Sequence, residues 1–512
     1  MSARPWFDRA ASMPGAPGAH LLRATPLEWR PLAQDVIAGH GRLLALWASG
    51  GTASTTRVQA CFAAAEGLLV TEVLLTAPQE EYPGLEDIFP AASRMQRAAA
   101  DLTGVHSTDP DRRPWLRHAA WPASFRPLLD AAVPDSPATP AVDQYAFVRV
   151  GGEGVHEIPV GPVHAGIIEP GHFRFSIVGE KVLWLEQRLG YVHKGIERRF
   201  TELPIMDGHR LAARVSGDSA VGFSWAYCQA LEGIAGVTIP PRAAWLRALC
   251  LELERIANHL GDLGALGNDA GFAFGYAQFS RLKELLLRAT EQALGQRYLL
   301  DAVVPGGTRT DLAHGTAGSM RRVMERLLHE AAVLRNIYDE HSGVRDRFVG
   351  AGRVEPALAA RLGLTGLAGR ASGQAFDLRV DLPCFPYGEL APVKCVNTEG
   401  DVAARVSVRF DELQESCRLV QRILEAIPAG VHQVPLPTPP EDAAGIGVIE
   451  GWRGPVVVAL EAGAAGRIRR CHPHDPSWQN WPVLEYAIHG NIVPDFPLIN
   501  KSFNLSYSGH DL

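Results

Sequence analysis

Cysteine is scarce: seven in 512 residues, at positions 61, 228, 250, 384, 395, 417 and 471, with no Cys-x-x-Cys pair. This excludes a disulfide framework and a zinc ribbon and leaves the thiols as small core hydrophobes. Long apolar runs are also missing, since no stretch reaches the roughly 18 residues that a membrane span needs. The first ten residues hold no apolar core of the signal-peptide kind, so the chain is expected to stay in the cytoplasm. Positive charge is not in excess either. Lys and Arg number 49 against 56 Asp and Glu, a net charge of −7 without long runs of one sign, which excludes a protein that tracks nucleic-acid phosphates. No internal repeat is present, and no Gly-rich dinucleotide fingerprint follows a strand. What remains is ordinary: 46% hydrophobic and 21% charged residues, a globular usage with little room for disorder. At this length about three folding units are expected.

The run 131–144 is rich in proline and small residues without apolar periodicity and reads as a linker. Before it, Leu68–Thr76 is β-branched and apolar, as in a strand that Pro78 ends, and Ala91–Leu102 reads as a helix. Residues 20–130 are therefore expected to form a small α+β domain. After the linker, Tyr145–Val150 and Phe173–Val178 alternate like strands of a small antiparallel sheet. Residues 245, 246, 249, 253, 256, 257 and 260 repeat apolar side chains at the three-four spacing of a buried helical face. Segments 277–298, 316–346 and 405–427 do the same, which predicts a bundle of long helices. The stretch 444–512 mixes a strand over Pro455–Glu461 with what reads as Pro-rich irregular chain.

Several ordered motifs then carry a resemblance. They are the run Gly161–Phe175, Tyr191–Glu197, Ala226–Glu232, Leu253–Leu260, Gly306–Leu312, Arg370–Gly373 with Asp377–Arg379, and Trp452–Gly454. Over 145–512 the chain resembles the large subunit of energy-converting, membrane-bound NiFe hydrogenases and its relative, the D subunit of respiratory complex I. The N-terminal domain resembles the C subunit of complex I through Tyr82–Ala91, Asp101–Val105 and Asp109–Leu116, although Gln96 and Ala98 replace acidic residues usual there. The fusion of the two is a feature of formate-hydrogenlyase-type hydrogenases, the hydrogenase-4 component G family. The resemblance implies an α+β multidomain protein, with a domain like the complex I C subunit at 20–130 followed after the linker by a mainly helical large-subunit-like domain at 145–512 with a small antiparallel sheet.

The resemblance also exposes a loss. Family members hold a nickel–iron centre on two pairs of thiolates. The matching positions here are Ser216 and Ser219 in one motif and Ser506 and Gly509 in the other, and Phe223 replaces a histidine after the first. Serine hydroxyls are hard, protonated donors and glycine has no side chain, so no four-thiolate site can form. The quinone partners of complex I, a tyrosine and a histidine, fall on Gly217 and Ile168. Quinone binding by that pair is excluded, while another quinone pose, another small carrier or water stays open.

Ionisable residues persist at family positions around this cavity. Glu169 matches a proton-passing glutamate, and Glu197, at the position that helps hold magnesium in hydrogenases, could pair with His193 one turn away if the stretch is helical; a plain salt bridge is the alternative. Arg453 matches the arginine over the open face of the metal, with Asp377 and Arg379 as its expected neighbours and a purely structural ion pair as the bland alternative. Asp218 lies inside the emptied loop, and His164 and His172 are weaker relay candidates. Glu252, Arg255 and His259 share one helix face, either solvated or part of an interior charged network.

The resemblance implies a subunit without its own metal, on the cytoplasmic face of the membrane. Its partners would be a small iron–sulfur subunit resembling the B subunit of complex I, a ferredoxin-like subunit and antiporter-like membrane subunits. Electrons from the neighbouring cluster, passed to quinone or another acceptor, would be coupled to ion movement. NADH use belongs to the whole complex at family level only. The competing reading is a redox-silent assembly subunit.

Overall fold

Thr25-Pro-Leu-Glu28 places a proline in the first turn and a glutamate three residues after a threonine, the signature of a helix start. In a computed structural model of the chain, which describes residues 3–50, 55–76, 81–118, 121–122, 124–130, 145–164 and 168–512, the Pro26–Ala38 helix begins there, and the Thr25 amide donates to Glu28 Oε2 at 2.9 Å. It belongs to an α+β lobe built on a five-stranded sheet. In spatial order the strands are Ala11–Ser12, Ala19–Ala24, Gly67–Thr76, Thr55–Ala64 and Arg42–Gly50. Only the pairing of Ala19–Ala24 with Gly67–Thr76 is parallel; the others are antiparallel. The Ala92–Thr103 helix packs on the sheet and stops at Gly104, whose φ of +79° is the left-handed cap that glycine favours. Pro78 and the proline-rich run 131–144 lie outside the described residues.

Residues 145–150, expected as a strand, run as irregular chain. Tyr145 is held by side chains instead, its hydroxyl accepting from Arg97 at 2.8 Å and its ring lying under Arg113. The antiparallel sheet starts later, as Val155–Val160, His172–Val178 and Lys181–Arg188 in that spatial order.

Four long helices follow the predicted periodicity: Pro241–Asp269, Ala273–Leu294, Thr316–Glu340 and Val402–Ala426. The first two form a hairpin at Gly271, and Gly264 lets them approach until a Cβ at that position would stand 3.2 Å from Phe279 Cβ. Beyond residue 444 the chain is far more regular than expected. An antiparallel meander of Ala444–Glu450, Pro455–Ala462 and Ile468–His474 is followed by helices Ser477–Ala487, Phe496–Phe503 and Tyr507–Asp511. Of the prolines read as breakers, Pro476 precedes one helix and Pro497 lies in the first turn of another, while Pro482 is accommodated inside the Ser477–Ala487 helix.

The meander joins the two lobes. Ile446 exchanges backbone hydrogen bonds with Pro14 and Ala16, Arg470 donates to the Ala48 carbonyl, and His472 stacks on Trp47 at 5.2 Å between ring centroids. Its first hairpin turn, Gly451–Gly454, carries Trp452 and Arg453 into the interior of the helical lobe, so the meander positions the candidate site.

Candidate functional site

The four degenerate ligand positions come together from opposite ends of the helical lobe. Ser216 and Ser219 lie on the turn before the Ala220–Ile234 helix, and Ser506 caps the Tyr507–Asp511 helix. A short hydrogen-bonded chain joins them. The Gly509 amide donates to Ser506 Oγ at 2.8 Å, the Ser506 and Ser216 hydroxyls are 2.8 Å apart, and Ser216 donates to Asp218 Oδ1 at 2.8 Å.

Arg453 completes the cluster. Its buried guanidinium forks onto both oxygens of Asp218, lies 3.3 Å from Ser219 Oγ, donates from Nε to the Asn504 carbonyl at 2.6 Å and covers the Trp452 ring. Burial alone would raise the Asp218 carboxyl, but Arg453, helped by Ser216, outweighs it and brings the group down to about 2. At the fourth position, a Cβ on Gly509 would stand 2.7 Å from Asp475 Oδ2. Asp475 is fully buried, that oxygen has no hydrogen-bond partner among the described residues, and burial pushes its carboxyl up. The donor set does not fit a thiolate-held metal: hydroxyls replace three sulfurs, a carboxylate fills the direction of the fourth, and a guanidinium lies among them.

The remaining sequence candidates are distributed differently from expectation. Glu169 is exposed and accepts from the Ser508 amide at 3.2 Å, at the rim of the cluster. His164 and His172 clip their own loop, Nε2 of the first lying 2.8 Å from the Gly171 carbonyl and Nδ1 of the second 3.1 Å from that of Gly161. His193 and Glu197 do not pair. The helix starts only at Ile196, so His193 turns to the Asp511 carbonyl at 2.7 Å, while Glu197 faces the meander, 2.7 Å from Arg470 and 2.6 Å from His472. Burial acts to raise the Glu197 carboxyl, and these two partners overcome it and bring it to about 2. A guanidinium and an imidazole already sit on Oε1 of this carboxylate, so its charge is met by side chains.

Asp377 and Arg379 are not neighbours of Arg453. Arg379 closes on Asp377 at 2.7 Å and reaches Glu252 at 3.2 Å. They belong to a second, sealed cluster in which Glu252, Asp377, Glu412 and Glu450 face Arg255, Arg370 and Arg379. Arg370 donates to Glu412 at 2.8 Å and Glu450 at 2.9 Å, and His259 Nε2 lies 2.9 Å from Glu412. Tyr387 and Ser416 donate to Glu252 at 2.7 and 2.6 Å. The helix face carrying Glu252, Arg255 and His259 is thus interior and not solvated.

Four carboxylates against three guanidiniums leave one negative charge over, and burying it is costly. Burial, then Asp377, push Glu450 up to about 7, while burial lowers His259. Arg255 also donates to the carbonyls of Glu450 at 2.7 Å and Gly451 at 2.9 Å, which ties this cluster to the hairpin bearing Arg453. Sequence reasoning missed Glu412, Glu450, Asp475, Arg470 and His472. The flank of the Trp452-Arg-Gly454 motif pointed to Glu450, and Glu412 and Ser416 stand at i and i+4 on a predicted helix.

The quinone-partner positions have no polar side chains to offer: Ile168 is half exposed, and Gly217 borders a cleft of about 180 Å³ between the Pro241–Asp269 and Ala273–Leu294 helices. Among the described residues no helix is long and apolar enough to cross a membrane.

Residues 269–444 match the model of the family described as respiratory-chain NADH dehydrogenase, 49 Kd subunit. Formate hydrogenlyase subunit 5 of Escherichia coli (strain K12) is 31% identical over 451 residues, covering 86% of this chain and 79% of that protein. Hydrogenase-4 component G of the same organism is 30% identical over 453 residues, covering 86% and 78%. The C/D subunit of NADH-quinone oxidoreductase from Bacteroides thetaiotaomicron is 28% identical over 407 residues, 75% of this chain and 76% of that one. Among solved structures, a chain of the membrane-bound sulfane sulfur reductase, an archaeal respiratory membrane complex, superposes with a TM-score of 0.66 at 25% identity, covering 70% of this chain and 99% of that chain.

Proposed function

Because the chain belongs to the large-subunit family that contains formate hydrogenlyase subunit 5 and hydrogenase-4 component G, we propose that it is the large subunit of a complex-I-like or hydrogenase-related oxidoreductase, without a metal centre of its own. The observation that carries this reading is the Arg453–Asp218 pair seated among Ser216, Ser219, Ser506 and Gly509. The subunit lies on the cytoplasmic face of the membrane through partners. These are a small iron–sulfur subunit against the cavity, a ferredoxin-like subunit and antiporter-like membrane subunits.

In this reading an electron arriving on the neighbouring cluster adds negative charge beside the cavity. That raises the proton affinity of the nearest carboxylates. Asp475 lies buried with a free oxygen, and Glu450 already titrates near neutrality. Their protonation alters the pull on Arg453 and Arg370, and the hairpin between those arginines is the element that both clusters bias. Quinone, or another small acceptor, takes the electrons without the tyrosine–histidine pair.

A second reading is favoured by the same filled cavity: a redox-silent subunit that holds the redox and membrane arms together. To separate the two, the complex is purified in mild detergent through an N-terminal tag, its iron–sulfur clusters are reduced, and their reoxidation on adding quinone is followed by electron spin resonance. Rapid reoxidation supports the redox role. Clusters that stay reduced assign the acceptor elsewhere, and a preparation without clusters leaves the assembly role.

A further inference from the structure

A cation without a hydrogen-bond or ion-pair partner among the described residues lines the cleft beside Gly217. The cleft is lined by Leu253, Ala257, Leu287 and Leu299 on its apolar side and by Lys283 on its polar side. Lys283 lies across Gly261 of the facing helix, where a Cβ would stand 2.9 Å from its Nζ, so the absent side chain makes the room through which the ammonium enters. The residue is half-buried and has no hydrogen-bond or ion-pair partner among the described residues, and burial lowers its pKa. A partly desolvated ammonium favours an acceptor, and the cleft, at about 180 Å³, is smaller than a drug-sized pocket and has room for one small body only.

The other charges in the wall are already satisfied. Asp218 is taken by Arg453, and Arg297 by Glu284 at 2.6 Å. Glu254 accepts the amides of Val221 at 2.7 Å and Gly222 at 3.2 Å, and burial pushes it up to about 8, so at neutral pH it does not repel an anion. Asp262 and Asp218 favour the Lys283 charge from a distance, with Lys501 opposing, but no carboxylate bonds to the ammonium, and free donors above an apolar floor select an anionic head on an apolar body. A lone lysine with no free arginine beside it is poorly equipped for phosphate, which is held by several donors.

We propose that this cleft binds an amphipathic carboxylate, with an oxygen of the acid on Lys283 Nζ and the apolar body against Leu253, Ala257, Leu287 and Leu299. The site is independent of the redox reading. It is tested by titrating 2-naphthoate into the purified full-length protein at pH 7 in a calorimeter. One saturable site is expected, weakened about tenfold or more in Lys283→Gln, retained in Lys283→Arg, blocked in Leu287→Trp and selective for the acid over 2-naphthamide. Lys283→Arg keeps the test open should the glutamine variant melt early. Absence of saturable binding, or equal affinity in wild type and a folded Lys283→Gln, overturns the assignment.

Discussion

Two charged clusters share one hairpin in this molecule and differ in what closes them. Around Arg453 one guanidinium forks onto Asp218 among hydroxyls, with the buried Asp475 carboxyl nearby, and the Asp218 side chain is 37% exposed. Around Arg370, the members from Glu252 to Glu450 are sealed from solvent, and Arg370 itself bonds to both Glu412 and Glu450. The first cluster is built on the four positions that the motif resemblance matches to metal ligands, and its groups have closed on each other. The second is built of buried ion pairs, and burial of its excess carboxylate favours a proton on Glu450. The difference is one of closure: the first cluster stays partly open to solvent, while the charged scaffold behind it is held by its own buried ion pairs.

The comparison breaks most visibly at Arg370. Arg370→Met strands Glu412 and Glu450 in the interior and is expected to cost about 3–5 kcal/mol, read by denaturant unfolding. Asp218→Asn leaves Arg453 without its counter-charge at a site that water can reach, and about 1–3 kcal/mol is expected. Equal losses at the two positions would erase the distinction between sealed and open clusters. Gly509→Ala drives a methyl against Asp475 and should cost about 1–3 kcal/mol; adding Asp475→Ala should return most of it, in a double-mutant cycle.

A smaller effect is a pH dependence. The Glu450 carboxyl is raised from an ordinary 4.5 to about 7, so the folded state keeps a proton that the unfolded chain releases. Its contribution is fully present below about pH 4.5 and is lost as pH rises through 7. The melting temperature should therefore fall across that window, and Glu450→Gln should flatten the fall. Smallest is Glu169→Gln at the exposed rim, expected to change stability by less than about 0.5 kcal/mol while uncoupling ion transport in the assembled complex. Unchanged coupling in reconstituted vesicles removes Glu169 from the mechanism.

Much of this was legible in the sequence where the signal was local. The Pro241–Asp269 and Val402–Ala426 helices follow from apolar spacing. The pairings were not legible, because partners meet across the chain: Asp218 with Arg453 and Glu197 with His472 are set by how the meander docks, not by helix spacing. The expected His193–Glu197 pair fails for a local reason, since helical spacing applies only after Ile196. The strand expected over Tyr145–Val150 fails because Arg97 and Arg113 hold Tyr145, a competition that no period reveals.

The account rests most heavily on a cavity closed by Arg453 and Asp218 in place of a metal. Elemental analysis of the complex, purified from cells grown with added nickel, tests it most directly. Nickel far below one atom per chain, with iron present only in amounts that match the partner subunits' clusters, is the result expected; stoichiometric nickel retained by this subunit would contradict it.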